Sequence, residues 1–151
     1  MTKTEILDAI NLLLVERWPT RTVYVDVCPI DFERPSFWLA VEKHDLTDAN
    51  RFLIRNDLQL RLTLFDELDD HYEASWYRLS QETDIVTDLL CRVLEVGERH
   101  LKLQLKVLPR DPDRAYVQIN TSWMDNRPGL DTGASTPIAD NYGLRVRHSI
   151  K

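Results

Sequence analysis

RWPTRTVYVDVCPIDFERPSFWLAV, residues Arg17 to Val41, carries the change from one kind of element to another. Trp18 precedes Pro19, and a residue before proline is biased away from the right-handed helical region, so a helix arriving from upstream stops here. Thr22 to Val27 then alternates β-branched and aromatic residues and predicts a strand, with Val23, Val25 and Val27 on one face and Tyr24 and Asp26 on the other. Pro29 to Pro35 predicts a loop, with Phe32 as its aromatic member. Phe37 to Val41 predicts a second strand, paired with the first.

Upstream, Thr2-Lys3-Thr4-Glu5 has the form of a capping box, in which the Thr2 hydroxyl and the Glu5 carboxylate each accept from the other's backbone N–H. Ile6, Ile10, Leu13 and Leu14 then recur at i, i+4, i+7 and i+8, which places them on one face of a helix spanning Thr4 to Trp18. Downstream, Lys43 to Asn50 is polar and predicts a turn. Leu58, Leu60, Leu62 and Leu64 alternate with Gln59, Arg61 and Thr63, a half-buried strand with one wet face. Phe52 to Ile54 extends it upstream, with Asn56-Asp57 as a bend or bulge.

Asp66 to Asp70 is an acidic connection. Tyr72, Trp76, Leu79, Val86, Leu90, Val93 and Leu94 follow at three- and four-residue spacing and predict a long helix from Tyr72 to Val96, ended by Gly97. Unbroken, it would be about 37 Å long. Leu101 to Val107 and Ala115 to Met124 predict a hairpin joined by the Pro- and Asp-rich turn 109–113. From Asp125 the composition shifts to Gly, Pro and polar residues, which predicts an extended C-terminal arm. Within it Tyr142, Leu144, Val146, His148 and Ile150 alternate with Gly143, Arg145, Arg147 and Ser149, a strand pattern able to pair with its own sheet or with a neighbouring subunit. The predicted fold is therefore α+β: a single domain, 1–124, whose mainly antiparallel sheet packs against an N-terminal helix and a long central helix, followed by the arm 125–151.

The 151 residues are enough for one domain that folds without metal or disulfide. The net charge of −6 argues against a protein whose main task is gripping nucleic acid. No apolar run approaches a membrane span, so no membrane partner is expected, and the acidic N-terminus does not read as a signal peptide. The expectation is a protein made in the cytoplasm, with Cys28 and Cys91 as reduced, buried thiols.

A search for convergent polar chemistry returns little. His44, His71, His100 and His148 form no metal-ligand pair, and His71 beside Asp69, Asp70 and Glu73 reads best as a solvated helix start. There is no Gly-rich phosphate loop and no GxSxG elbow. No catalytic residue, cofactor or metal is expected. Of Trp18, Trp38, Trp76 and Trp123, at least three are expected in the core and one is available as an interface anchor.

The capped helix, the Trp18-Pro19 stop, the strand Val23-Tyr24-Val25-Asp26-Val27, Pro29, and the step from Phe32 to Pro35-Ser36-Phe37 resemble the opening of the tail terminator family of tailed phages. The later order is similar too: a leucine-alternating strand ending in Phe65, a long helix and a two-stranded return, so that the resemblance spans residues 4–124. Ile30-Asp31 stand where many relatives carry a polar Gln, and the chain beyond Met124 is longer than a minimal member. The resemblance implies a structural virion protein and not an enzyme. It would form a ring, usually a hexamer, on the head-proximal end of the tail tube. Its partners would be itself, the tail tube protein and head–tail connector proteins, with DNA passing through unread. Phe32 and Pro35, and Tyr142, Leu144, Val146 and Ile150 of the arm, are the interface candidates. The alternatives are a head–tail connector or tail completion component, or a small bacterial interaction domain.

Overall fold

The computed structural model describes residues 1–129. Helix α1 (Lys3–Arg17) begins with the capping box: the Thr2 hydroxyl accepts from the Glu5 N–H at 3.3 Å, and the Glu5 carboxylate accepts from the Thr2 N–H at 2.6 Å. Those bonds hold the Glu5 carboxyl below its usual range. Ile6, Leu7, Ile10 and Leu14 are buried. The Trp18 N–H still reaches the Leu14 carbonyl at 2.9 Å, and the helix ends there.

The remaining elements are β1 (Thr22–Val25), β2 (Ser36–Asp48), β3 (Leu53–Phe65), α2 (Trp76–Leu90), β4 (Leu94–Val96), β5 (Arg99–Leu101), β6 (Gln104–Asp111) and β7 (Arg114–Asn126). Five strands form one sheet in the order β1-β2-β3-β7-β6, and β4 and β5 form a separate hairpin. Leu58, Leu60, Leu62 and Leu64 of β3 are fully or almost fully buried, in a cluster with Phe37, Leu39, Val117 and Ile119 of the neighbouring strands and with apolar side chains of both helices. Each such leucine contributes about 1.5–3 kcal/mol by leaving water.

This architecture corrects the expected fold class. Strands hold 46% of the described residues and helices 23%, so the described part is mostly β, and no long central helix is present among the described residues. α2 starts only at Trp76, where the Ser75 hydroxyl accepts from the Arg78 N–H, and it ends at Cys91. Tyr72, expected inside the helix, has φ +60°, which a helix cannot contain. Val93 and Leu94 continue the helical spacing of Leu90, but Leu94 and Val96 alternate as a strand, and they pair with Leu101 and Arg99. Both are buried in the core cluster, so tertiary burial overrides local period. Gly97 is not a helix terminator. Its φ of +59° places it in the tight β4–β5 turn, a conformation glycine adopts without strain.

The sheet is mixed, because β1 runs parallel to β2 while the other pairs are antiparallel. A parallel neighbour needs a crossover, and residues 26–35 supply it as a loop. The Asp26 N–H donates to the Leu39 carbonyl at 2.8 Å, and Asp26 itself turns the chain with φ +68°. That turn takes Val27 out of the expected strand into solvent. Lys43 to Asp48, expected as a turn, lengthens β2 against β3. Its polar residues conceal a strand because this end of the sheet has little apolar cover. The irregularity expected at Asn56-Asp57 lies instead in β2, between Val41 and Lys43. β7 runs through the expected boundary at residue 124 to Asn126. The remainder of the expected C-terminal arm, from residue 130 onward, lies outside the described residues.

Candidate interaction surface

Side chains on the face of the sheet opposite the core cluster sit in a register set by strand pairing. Tyr24 pairs with Trp38, Trp38 with Thr63, Thr63 with Tyr116 and Tyr116 with Leu108. Thr63, placed between two large aromatics, is buried, while Trp38 and Tyr116 remain half-exposed. The Trp38 indole N–H donates to the Asp26 carbonyl at 3.1 Å, which fixes its ring against the crossover. One step along, Arg61 pairs with Glu42 at 2.5 Å and places its guanidinium 5.3 Å from the Tyr116 ring centre. Burial, reinforced by the hydrogen bond that the hydroxyl donates to Asp111, pushes the Tyr116 phenol up to about 12. The face is thus a set of aromatic rings framed by paired charges.

The crossover loop closes one end of this face. The Phe32 ring lies 4.2 Å from that of Phe65, and the Arg34 guanidinium sits 4.9 Å from the Phe32 centre. Arg34 also bonds to Asp113 in the β6–β7 turn. Hydrogen bonding from Arg114 leads the causes that hold the Asp113 carboxyl below its usual range, against the effect of burial and with help from Arg34. Of the expected interface residues, Phe32 and Pro35 are therefore half-buried parts of this loop. Tyr142, Leu144, Val146 and Ile150 lie outside the described residues.

The start of α2 is a second surface. Trp76 is 60% exposed, Tyr77 62% and Tyr72 79%, whereas Trp123 is buried and Trp18 packs on Phe37 at 5.0 Å. At least three tryptophans are expected in the core from the sequence, but only Trp123 is buried; Trp18 and Trp38 are half-buried and Trp76 is exposed, so Trp76 and Trp38 are both available as anchors. The sequence could have marked Trp76 only through its acidic, polar neighbours, since its helical spacing argued for the core.

The stretch Asp69 to Glu73, expected as a solvated helix start, is instead a loop before α2. Asp69 accepts from the backbone N–H groups of Glu73 at 3.0 Å and His71 at 2.8 Å, which holds its carboxyl below the usual range and shapes the loop. His44 stacks on Trp123 at 5.7 Å and hydrogen-bonds Asn56 at 3.1 Å. Among the described residues no three His, Cys, Asp or Glu side chains are grouped to hold a metal ion, and no helix is long and apolar enough to cross a membrane. Cys28 is half-buried, and burial raises its thiol; Cys91 is exposed, contrary to expectation.

No protein-family model matches the sequence, and no curated protein matches it. Among solved structures, one chain known only by an identifier aligns over 87% of this chain and 99% of its own, at 14% identity and a TM-score of 0.44. A likeness at that score carries no argument about fold or function.

Proposed function

We propose that the protein caps a phage tail tube as a ring, most simply a hexamer, ending tube polymerisation and offering a surface to head–tail connector proteins. It would then reside at the head-proximal end of the virion tail. The observation that carries this reading is the one-sided sheet. The core cluster with both helices lies on one face, and Trp38, Arg61 and Tyr116 line the other, which no helix covers among the described residues. A capping subunit needs such a division, with one surface that engages neighbours or tube and another that does not template further growth. A ring is a heterologous contact whose rotation closes.

The edge strands fit the same task. β6 carries Lys106, Pro109 and Arg110 on an exposed edge, a composition that discourages unprogrammed strand addition. The net charge of −6 agrees with a lumen through which DNA slides without being held. The test is to mix purified protein with tail tubes and image the ends by negative-stain electron microscopy. The reading expects a ring of extra density at one end of each tube. Bare ends at saturating protein would contradict it.

A further inference from the structure

We propose that the exposed aromatic cluster at the start of α2 receives the basic C-terminal segment, residues 141–151, of a second copy of this chain, joining copies head to tail. The inference deepens the ring reading and rests on it only for closure of the contacts into a ring.

Tyr72, Trp76 and Tyr77 are each more than half exposed and lie within six residues of one another. Tyrosine and tryptophan in such a position are the side chains that dominate protein interfaces. Their setting is already ordered. The Tyr72 N–H donates to the Asp69 carbonyl at 3.1 Å, Leu68 bridges Ala74, and the Ala74 N–H donates to the Pro112 carbonyl at 2.9 Å. The cluster therefore needs little reorganisation to bind.

Charge selects the occupant. Glu67, Asp69, Asp70 and Glu73 are exposed around the aromatics. Of the nearby cations, Arg78 pairs with the buried Asp66 at 3.3 Å, which leaves Arg110 as the cation that shares a hollow with Glu73, Trp76 and Pro112. The segment 141–151, NYGLRVRHSIK, carries Arg145, Arg147 and Lys151 and no acidic residue. Arginine beside exposed aromatic rings and carboxylates gains from both ion pairing and cation–π attraction. The β6 edge is the competing place for this segment, and it offers Lys106 and no carboxylate before Asp111, whereas four exposed carboxylates surround the α2 start.

The cluster and the point where the described chain ends also stand at opposite ends of the sheet. The cluster adjoins Pro112, just before β7, and β7 runs about 40 Å to Asn126 at strand rise. There Arg127 is tied to the β2–β3 turn: its N–H donates to the Phe52 carbonyl at 2.7 Å and its guanidinium pairs with Asp48 at 2.6 Å. Leaving from that end, the C-terminal segment meets a neighbour's cluster when copies are arranged head to tail. Extended, residues 130–151 span at most roughly 75 Å, so reach does not limit the contact.

The test uses full-length protein in two variants, Trp76→Ala/Tyr77→Ala and Arg145→Glu/Arg147→Glu, followed by sedimentation velocity at low ionic strength, where charge contacts are least screened. Wild type is expected to self-associate, and each variant alone to do so at least about tenfold more weakly. Mixed in equal amounts, the two variants should form a one-to-one complex and nothing larger, because one intact cluster meets one intact segment. Circular dichroism checks folding, and Asp70→Lys/Glu73→Lys replaces the alanine variant if that one is unfolded. A wild type that stays monomeric, a variant that associates like wild type, or a mixture that stays monomeric overturns the proposal. The last result would also follow from a segment bound to its own cluster. Association as described, with tail tubes left uncapped, would overturn the terminator reading and leave this contact standing.

Discussion

Arg34 and Asp113, 79 residues apart, are joined twice: Nη2 donates to the Asp113 carboxylate and Nη1 to its backbone carbonyl, each at 3.1 Å. Nη1 also donates to the Asp66 carbonyl at 3.1 Å. One partly buried guanidinium therefore ties the crossover loop to the end of β3 and to the β6–β7 turn. Arg34→Ala should lower stability by about 2–3 kcal/mol, because charged hydrogen bonds are lost and their acceptors stay partly covered. Arg34→Lys should recover only part of this, since an ammonium lacks the planar fork. Urea unfolding midpoints check both, and an unchanged midpoint for the alanine variant would contradict the role given to Arg34.

Acid should unfold the protein in part through Asp113 and Asp125. Burial works against the Asp125 charge, but the Trp123 indole N–H at 2.8 Å and Arg99 at 2.6 Å outweigh it and hold the carboxyl low. Asp113 is held low chiefly by Arg114. A carboxyl with a lowered folded pKa stabilises above its unfolded pKa, near 4, and that stability is lost as pH falls through the folded value. Asp113→Asn should therefore flatten the acid limb of a stability–pH curve measured below about pH 4. A limb as steep as in wild type would count against Asp113.

Tyr116 should act at the other extreme. Its phenol is raised to about 12 from 10.0, so its contribution is complete below the unfolded value and disappears as pH rises through the folded one. Titration of phenolate absorbance should show one late-ionising tyrosine that Tyr116→Phe removes. A Tyr116→Phe curve that superposes on wild type would refute the assignment.

Arg21 and Glu82 meet at 2.5 Å, with both side chains largely buried, and Arg21 Nη1 and Glu82 Oε2 find no hydrogen-bond partner among the described residues. Glu82→Leu alone should cost about 3–5 kcal/mol by stranding the arginine charge. Arg21→Met/Glu82→Leu together should be nearly neutral or stabilising. A double variant as unstable as the single one would show that the pair contributes more than mutual compensation.

What was legible in the chain was what short-range physics determines. The Thr2–Glu5 box involves neighbours in sequence, and the Leu58–Leu64 alternation leaves a half-buried strand as its natural solution. Leu90, Val93, Leu94 and Val96 were ambiguous, because three- and four-residue spacing and alternation coincide there, and only packing against the core cluster selects β4. The parallel pairing of β1 with β2 depends on the path of residues 26–35 and on Arg34 meeting Asp113, a contact without local signature. The exposed Trp76 and Tyr77 were hidden for a related reason: aromatic residues at helical spacing argue for a core, and exposure is a property of the assembled fold.

On the proposed terminator reading, the most direct test is the length of phage tails assembled without this chain, measured by electron microscopy. Tails should grow past their normal length and lack a closing ring at the head-proximal end. Tails of normal length would contradict that reading.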